Sequence, residues 1–131
     1  MLIGRVLFVV IFLGSAYQHL TMTDGMAEFA KSKGVPQPWL AVFGSGIVQG
    51  LGGLSVLLGI WADLGALLLF LFTLSTALIM HSFWKLEGEA RNMDQIQFVK
   101  DLALAGASLM LVGLFSIAGH RLGFTITGPL F

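Results

Sequence analysis

The sequence contains no cysteine. That excludes thiolate nucleophiles, disulfide exchange, iron–sulfur ligation and thiolate zinc sites within the chain, and leaves the compartment unreadable from sulfur. Charge is scarce too, at 11% of 131 residues, against about a quarter in ordinary globular domains. Seven basic residues balance seven acidic ones, so there is no basic surface for nucleic acid. P-loop, GxGxxG and HExxH motifs are missing, as is any Ser, His and Asp arrangement. The carboxylates Asp24, Glu28, Glu87 and Glu89 read as solvated, not catalytic.

What the sequence has instead is apolar residues, 56% of the total, a mean hydropathy of +0.90 and 17 glycines. That is membrane composition, in which glycine lets spanning helices approach closely. A bilayer core about 30 Å thick needs roughly 20 apolar helical residues. Four stretches qualify: 2–20, 39–60, 64–84 and 98–118. A chain of this size has no shell of residues to cover four such helices in water. Arg5, the apolar run after it and the small residues Gly14, Ser15 and Ala16 outline a signal peptide, and the segment is expected to remain in the bilayer as an anchor.

The connections set the topology. Trp61, Ala62 and Asp63 alone separate the second and third spans, which predicts a tight antiparallel hairpin. DGMAEFAKSKGVPQP, from Asp24, starts with an expected capping Asp24 and spaces Met26, Phe29 and Ala30 for a short interfacial amphipathic helix. KLEGEARNMDQ, from Lys85, holds five charged residues and reads as a solvated loop. The expected fold is therefore all-α: a single transmembrane domain over 1–131, an integral membrane four-helix bundle running up-down-up-down, with an interfacial helix after the first span. The tail 119–131 is too short for a fifth span and is expected along the surface or against a partner. Lys31, Lys33, Lys85, Arg91 and Lys100 share the side of the long connections, with only Arg5 and Arg121 on the terminal side. The positive-inside rule then puts connections 21–38 and 85–97 in the cytoplasm of a multi-pass, bacterial-type membrane protein.

Polar side chains gather at that same end: Gln18 and His19 close the first span, His81 lies near the end of the third, and Lys100 and Asp101 lie near the start of the fourth. His81 follows an uncharged run from Leu64 to Met80 and precedes Trp84. Deep in the second span stands Gln49, on one helical stripe with Gly46, Gly50 and Gly53. A buried amide must face protein or trapped water. It serves either as interhelical glue beside a GxxxG surface or as a hydrogen-bonding partner of a ligand carbonyl or hydroxyl in a pocket. His81 and His19 either anchor in the headgroup region beside Trp84, ligate a haem or chlorophyll-type magnesium, or hydrogen-bond a quinone. Asp101 either favours its helix N-terminus or turns inward to orient His81 in a proton relay. Candidate ligand-binding residues are thus His81, Gln49, His19, Asp101 and Trp84; none is assigned as catalytic or metal-binding. His120, next to Arg121 at the other end, is expected on the surface.

Several segments in order resemble the DoxX family of small four-helix membrane proteins. GRVLFVVIFLGSAYQHL is similar to its opening helix, and the stretch from Gly34 to Leu69, with Gly52–Gly53 and Gly59, to its second and third. ALIMHSFW resembles its histidine followed by aromatics, and FVKDLALAGASLML the start of its fourth helix. The resemblance implies a redox-associated membrane protein, since members occur with thiosulfate:quinone oxidoreductase and in oxidative-stress complexes. Three positions depart from the pattern: Gln49 replaces a common glutamate, Asp63 a frequent arginine, and Asp101 an asparagine after Lys100. Two roles follow. One is an accessory, non-catalytic subunit whose glycine-lined faces pack against a larger membrane complex or a second copy. The other is a quinone-interacting oxidoreductase component with its site near Gln49 and His81. One embedded amide makes no continuous polar path, which disfavours a channel or transporter.

Overall fold

A computed structural model describes residues 1–130, His120 without its side chain, so the surface placement expected of His120 lies outside the described residues. The helices are α1 (Leu2–Thr21), α2 (Thr23–Ser32), α3 (Pro38–Leu58), α4 (Ala62–Met80) and α5 (Gly88–Ala118). Three-residue 3₁₀ turns occupy Phe83–Lys85 and Gly119–Arg121. All but α2 are long and apolar enough to cross a membrane. The chain is an all-α, up-down-up-down membrane bundle, with α2 lying across one end.

Local chemistry sets the helix ends. Pro38 starts α3, where its missing N–H costs nothing. Gly59 ends it in the left-handed region at φ 69°, its N–H bonded to Ser55 O. Ser55 Oγ then donates to Ile60 O (2.6 Å) and Trp61 O (3.0 Å), closing the expected hairpin. Two expectations need correction. Asp24 does not cap α2: Met22 holds that position, and Asp24 accepts a hydrogen bond from Trp39 Nε1 at 3.0 Å. Residues 88–97 are not a solvated loop but the first turns of α5; Gly88, at φ 66°, turns the chain into the helix. Charge density misled there, because a helix projecting past the bilayer is as polar as a loop.

Packing runs α1 on α3, α3 on α4, and α4 on α5, with α2 on α3. Apolar burial contributes little between helices in lipid, so close fit must hold them. The α3 glycine stripe supplies it. A Cβ at Gly46 would stand 2.8 Å from His19 Cβ, at Gly50 3.7 Å from Ala16 Cβ, and at Gly53 3.1 Å from Leu13 Cδ2. Gly52 does the same towards α4, where a Cβ would meet Leu69 at 2.9 Å and the Gly65 carbonyl at 3.1 Å. Val9, Phe12, Val56, Ala66, Leu69 and Phe115 fill the terminal-side half.

The described part of the tail runs along the surface of its own chain, over the α3–α4 turn, with Phe124 and Ile126 exposed. Ile126 N–H donates to Leu58 O (3.1 Å), Thr127 N–H to Gly59 O (3.0 Å) and Leu130 N–H to Asp63 Oδ1 (2.9 Å). Arg5, read in the sequence only as a basic residue on the terminal side, is 1% exposed and gives one Nη2 group to Gly123 O (2.8 Å) and Phe124 O (3.0 Å). The tail thus carries carbonyls to a buried guanidinium, which snorkelling to water would otherwise have served.

The glycine contact is testable. Gly46→Ala forces α1 off α3 and should destabilise the detergent-solubilised protein by about 1–3 kcal/mol, the usual cost of overpacking. Gly44→Ala, whose added Cβ meets nothing within 4 Å, should leave the melting temperature unchanged.

Candidate functional site

The connection-side half of the bundle is not filled. A cavity of about 590 Å³ lies there, bounded by α1, α3, α4 and the inner face of α5 and covered by α2. Its wall is largely apolar with a few polar side chains, the usual make-up of a small-ligand site of 300–1,000 Å³. Ile11, Phe29 and Ile79 belong both to this wall and to the exposed outer surface. They connect the cavity wall to the exposed surface.

Gln49 stands at the deep end. It is 1% exposed, and its Nε2 has no hydrogen-bond partner. A buried amide donor left unmade costs about 1–3 kcal/mol, and more is at stake where no water can reach it. Thr73 Oγ1 and Thr76 Oγ1, on the same wall, spend their protons on Leu69 O (2.8 Å) and Phe72 O (2.9 Å), and the lone pairs they keep do not reach Gln49 Nε2. Helical Ser and Thr commonly bond backward in this way.

His19, at the end of α1, is held by the start of α3. Its Nδ1 lies 2.8 Å from Ser45 Oγ and 3.2 Å from Val42 O. A carbonyl only accepts, so Nδ1 carries the proton; Ser45 Oγ gives its own proton to Val42 O at 2.8 Å. The assignment rests on this network, and it leaves Nε2 as a lone-pair acceptor on the cavity wall. The histidine is half-buried against α3 rather than free in the headgroups.

His81 is the C-cap of α4, so the third helix ends there rather than at Trp84. The chain then turns through Phe83–Lys85, and Phe83, Trp84 and Phe98 pack edge to face and fix the turn against α5. Asp94 and Asp101 are seven residues apart on α5, two turns, and therefore share a face. That face meets the imidazole: Nδ1 lies 3.4 Å from Asp94 Oδ1 and Nε2 3.6 Å from Asp101 Oδ2. Lys33 Nζ bonds the other Asp94 oxygen at 3.1 Å, and Lys100 Nζ lies 3.9 Å from Asp101 Oδ1. Both imidazole nitrogens face carboxylates, which occupy the positions a haem or chlorophyll metal would take. Among the described residues no three His, Asp or Glu side chains are grouped as ligands for a metal ion.

Four of the five residues singled out in the sequence, Gln49, His19, His81 and Asp101, line this one cavity. Trp84 does not: it is 49% exposed on the outer side of the turn. Its aromatic neighbours Phe83 and Phe98 hold it there, and the helix end at Met80 carries it past the cavity. Sequence reasoning missed Ser45, Asp94 and Lys33. Only Asp94 left a usable signal, its seven-residue spacing from Asp101, which the assumed loop concealed.

Comparison with known proteins agrees with this architecture. The DoxX family model matches residues 1–82. The inner membrane protein YphA of Escherichia coli is 32% identical over 111 residues, covering 85% of this chain and 79% of that protein. The inner membrane protein YqjF of the same organism is 28% identical over 120 residues, covering 88% of this chain and 87% of its own length. No solved structure gives a significant match. The family match ends just after His81, so α5 with both aspartates lies beyond it.

The orphaned amide predicts an opposition between stability and binding. Replacing Gln49 with Leu removes an unsatisfied donor at similar volume, so the delipidated protein should melt at the same temperature or higher, by up to about 1–3 kcal/mol. A clear loss of stability would mean that the amide is interhelical glue.

Proposed function

The chain belongs to the DoxX family, and from that premise we propose that it is an inner-membrane protein that binds a neutral, carbonyl-bearing lipophilic ligand of quinone type in the cavity beneath α2. The observation that carries this reading is the buried Gln49 Nε2 without a partner on the cavity wall. A ligand carbonyl supplies the acceptor that the protein does not. His19 Nε2 offers the complementary acceptor for a ligand hydroxyl, so the same wall receives either the carbonyl or the hydroxyl form of such a ring. Lys100 is next to Asp101 and bonded to Gln97, which leaves no uncommitted cation among the described residues of the cavity wall to favour an anionic headgroup. The exposed Ile11, Phe29 and Ile79 of the cavity wall suit a ligand that arrives from the bilayer.

The accessory-subunit reading drew on glycine-lined faces available to a partner. The α3 face is taken up by α1 and α4 of the same chain, so that support weakens while the cavity remains to be explained. A redox setting, as the family resemblance implies, suits a quinone-binding component of a membrane oxidoreductase system. Five of the seven basic residues are on the α2 side, which this reading places in the cytoplasm.

Extraction of the protein in mild detergent and analysis of the organic extract test the proposal. Wild type should carry lipid quinone in near-stoichiometric amount. Gln49→Leu and His81→Ala should each retain about tenfold less, the equivalent of one hydrogen bond's worth of affinity, roughly 1.4 kcal/mol. Equal quinone content in all three proteins would refute it.

A further inference from the structure

We propose that Asp94, His81 and Asp101 form a proton path from water at the α2 side to the ligand cavity, with Asp94 as its outer terminus; the inference rests on the cavity being a ligand site. Asp101 and His81 line the cavity, whereas Asp94 does not. Seven residues of helix put Asp94 about 10 Å nearer the α2-side end of α5 than Asp101. The imidazole bridges them, one nitrogen to each carboxylate, at 3.4 and 3.6 Å. Those separations are long for transfer, and a small rotation of either side chain closes them, as is common for sites without ligand. Histidine is suited to this position because it can accept a proton on one nitrogen while releasing one from the other.

The surrounding charges serve the same purpose. The groups facing His81 are Asp94 and Asp101, both from α5, and each has a lysine at its other oxygen: Lys33 from the end of α2 and Lys100 from α5. Lys33 at 3.1 Å holds Asp94 in place and draws it towards the α2–α3 connection, where the chain leaves the bilayer. A purely structural ion pair between Lys33 and Asp94 would not require a histidine between it and a second, cavity-lining carboxylate.

The step balances without any oxidant. A hydroxyl O–H of the bound ligand breaks and its proton passes to Asp101 Oδ2. Asp101 passes a proton to His81 Nε2 while Nδ1–H gives one to Asp94 Oδ1, and Asp94 releases it to water. The ligand is left as its anion with one proton in solution, and rotation of the imidazole resets the path. In the reverse direction the same residues protonate a bound ligand anion.

The full chain in detergent can be tested with an alkyl hydroxynaphthoquinone, whose visible absorption changes when its hydroxyl ionises. A stopped-flow pH jump then reads proton exchange as the relaxation rate and probe occupancy as the equilibrium amplitude. Asp94→Asn, outside the cavity wall, should keep the amplitude but relax at least about tenfold more slowly, the lower end of what a positioned acid–base group contributes with a margin for bypass. Asp94→Glu should relax within about threefold of wild type, since it keeps the carboxylate. Added formate should restore the Asp94→Asn rate, a rescue that a structural role would not produce. Normal amplitude with a wild-type rate in Asp94→Asn would overturn the proton path and leave the ligand site standing. Failure of wild type to bind the probe would remove the ligand site itself, and the path with it.

Discussion

The bundle depends on how closely α1 approaches α3 at Gly46. No side chain stands there, and the space is taken by His19 Cβ and the end of Leu20. In lipid this fit substitutes for the hydrophobic drive that packs helices in water. The approach also sets the chemistry, because the backbone separation that seats His19 on Gly46 brings its Nδ1 onto Ser45 and Val42. With one nitrogen fixed as donor, the other is fixed as acceptor. Packing and ligand-facing polarity are therefore one feature here, and the glycine stripe is part of the site although no glycine could contact a ligand through a side chain.

A second constraint organises the two ends differently. Polar groups within the bilayer need partners from the protein. At the terminal end the chain meets that need with itself: the tail offers its carbonyls to Arg5 and its Leu130 N–H to Asp63. Two Arg5 donors still lack partners, so the tail meets the need only in part. At the α2 end the polar groups are arranged around open volume, and the deepest of them is unsatisfied. Since the same chain elsewhere recruits distant backbone to cover a buried charge, an amide left open beside a cavity is better understood as awaiting something than as an oversight of packing.

How much of this was legible in the sequence depends on the length scale involved. The four spans and the interfacial helix follow from hydropathy and helical period, and those signals extend over many residues. The convergence of Gln49, His19, His81 and Asp101 was partly legible, because span counting alone puts the last three at one end of the bundle. Trp84 shows where this runs out: a helix ending four residues early, at Met80, turns a wall residue into an outer one. Asp94 shows the opposite failure. Its charged neighbours resemble a loop, and nothing local tells a solvated loop from a helix that continues beyond the membrane. Arg5 could not have been placed at all, since its partners are carbonyls more than a hundred residues away and carbonyls have no sequence signature.

The departures from the family pattern acquire a joint meaning once both positions share a cavity. The resemblance to the family implies a glutamate where this chain has Gln49, and an asparagine where it has Asp101. Taken singly, the first loses an embedded acid and the second gains one near an interface. Taken together, they move a carboxylate from the deep wall of one cavity to its α5 wall and put an amide in its place. The exchange alters what each position can do. A carboxylate at 49 would accept hydrogen bonds or hold a proton far from water, with no group beside it to resupply that proton. At 101 it adjoins His81, which reaches Asp94 and the membrane surface. The deep position, freed of charge, can donate to a neutral carbonyl without the desolvation cost of a buried ion. On the proposed function, binding and proton exchange would then fall to different residues of one site, with the second carried by α5, beyond the residues that the family model matches.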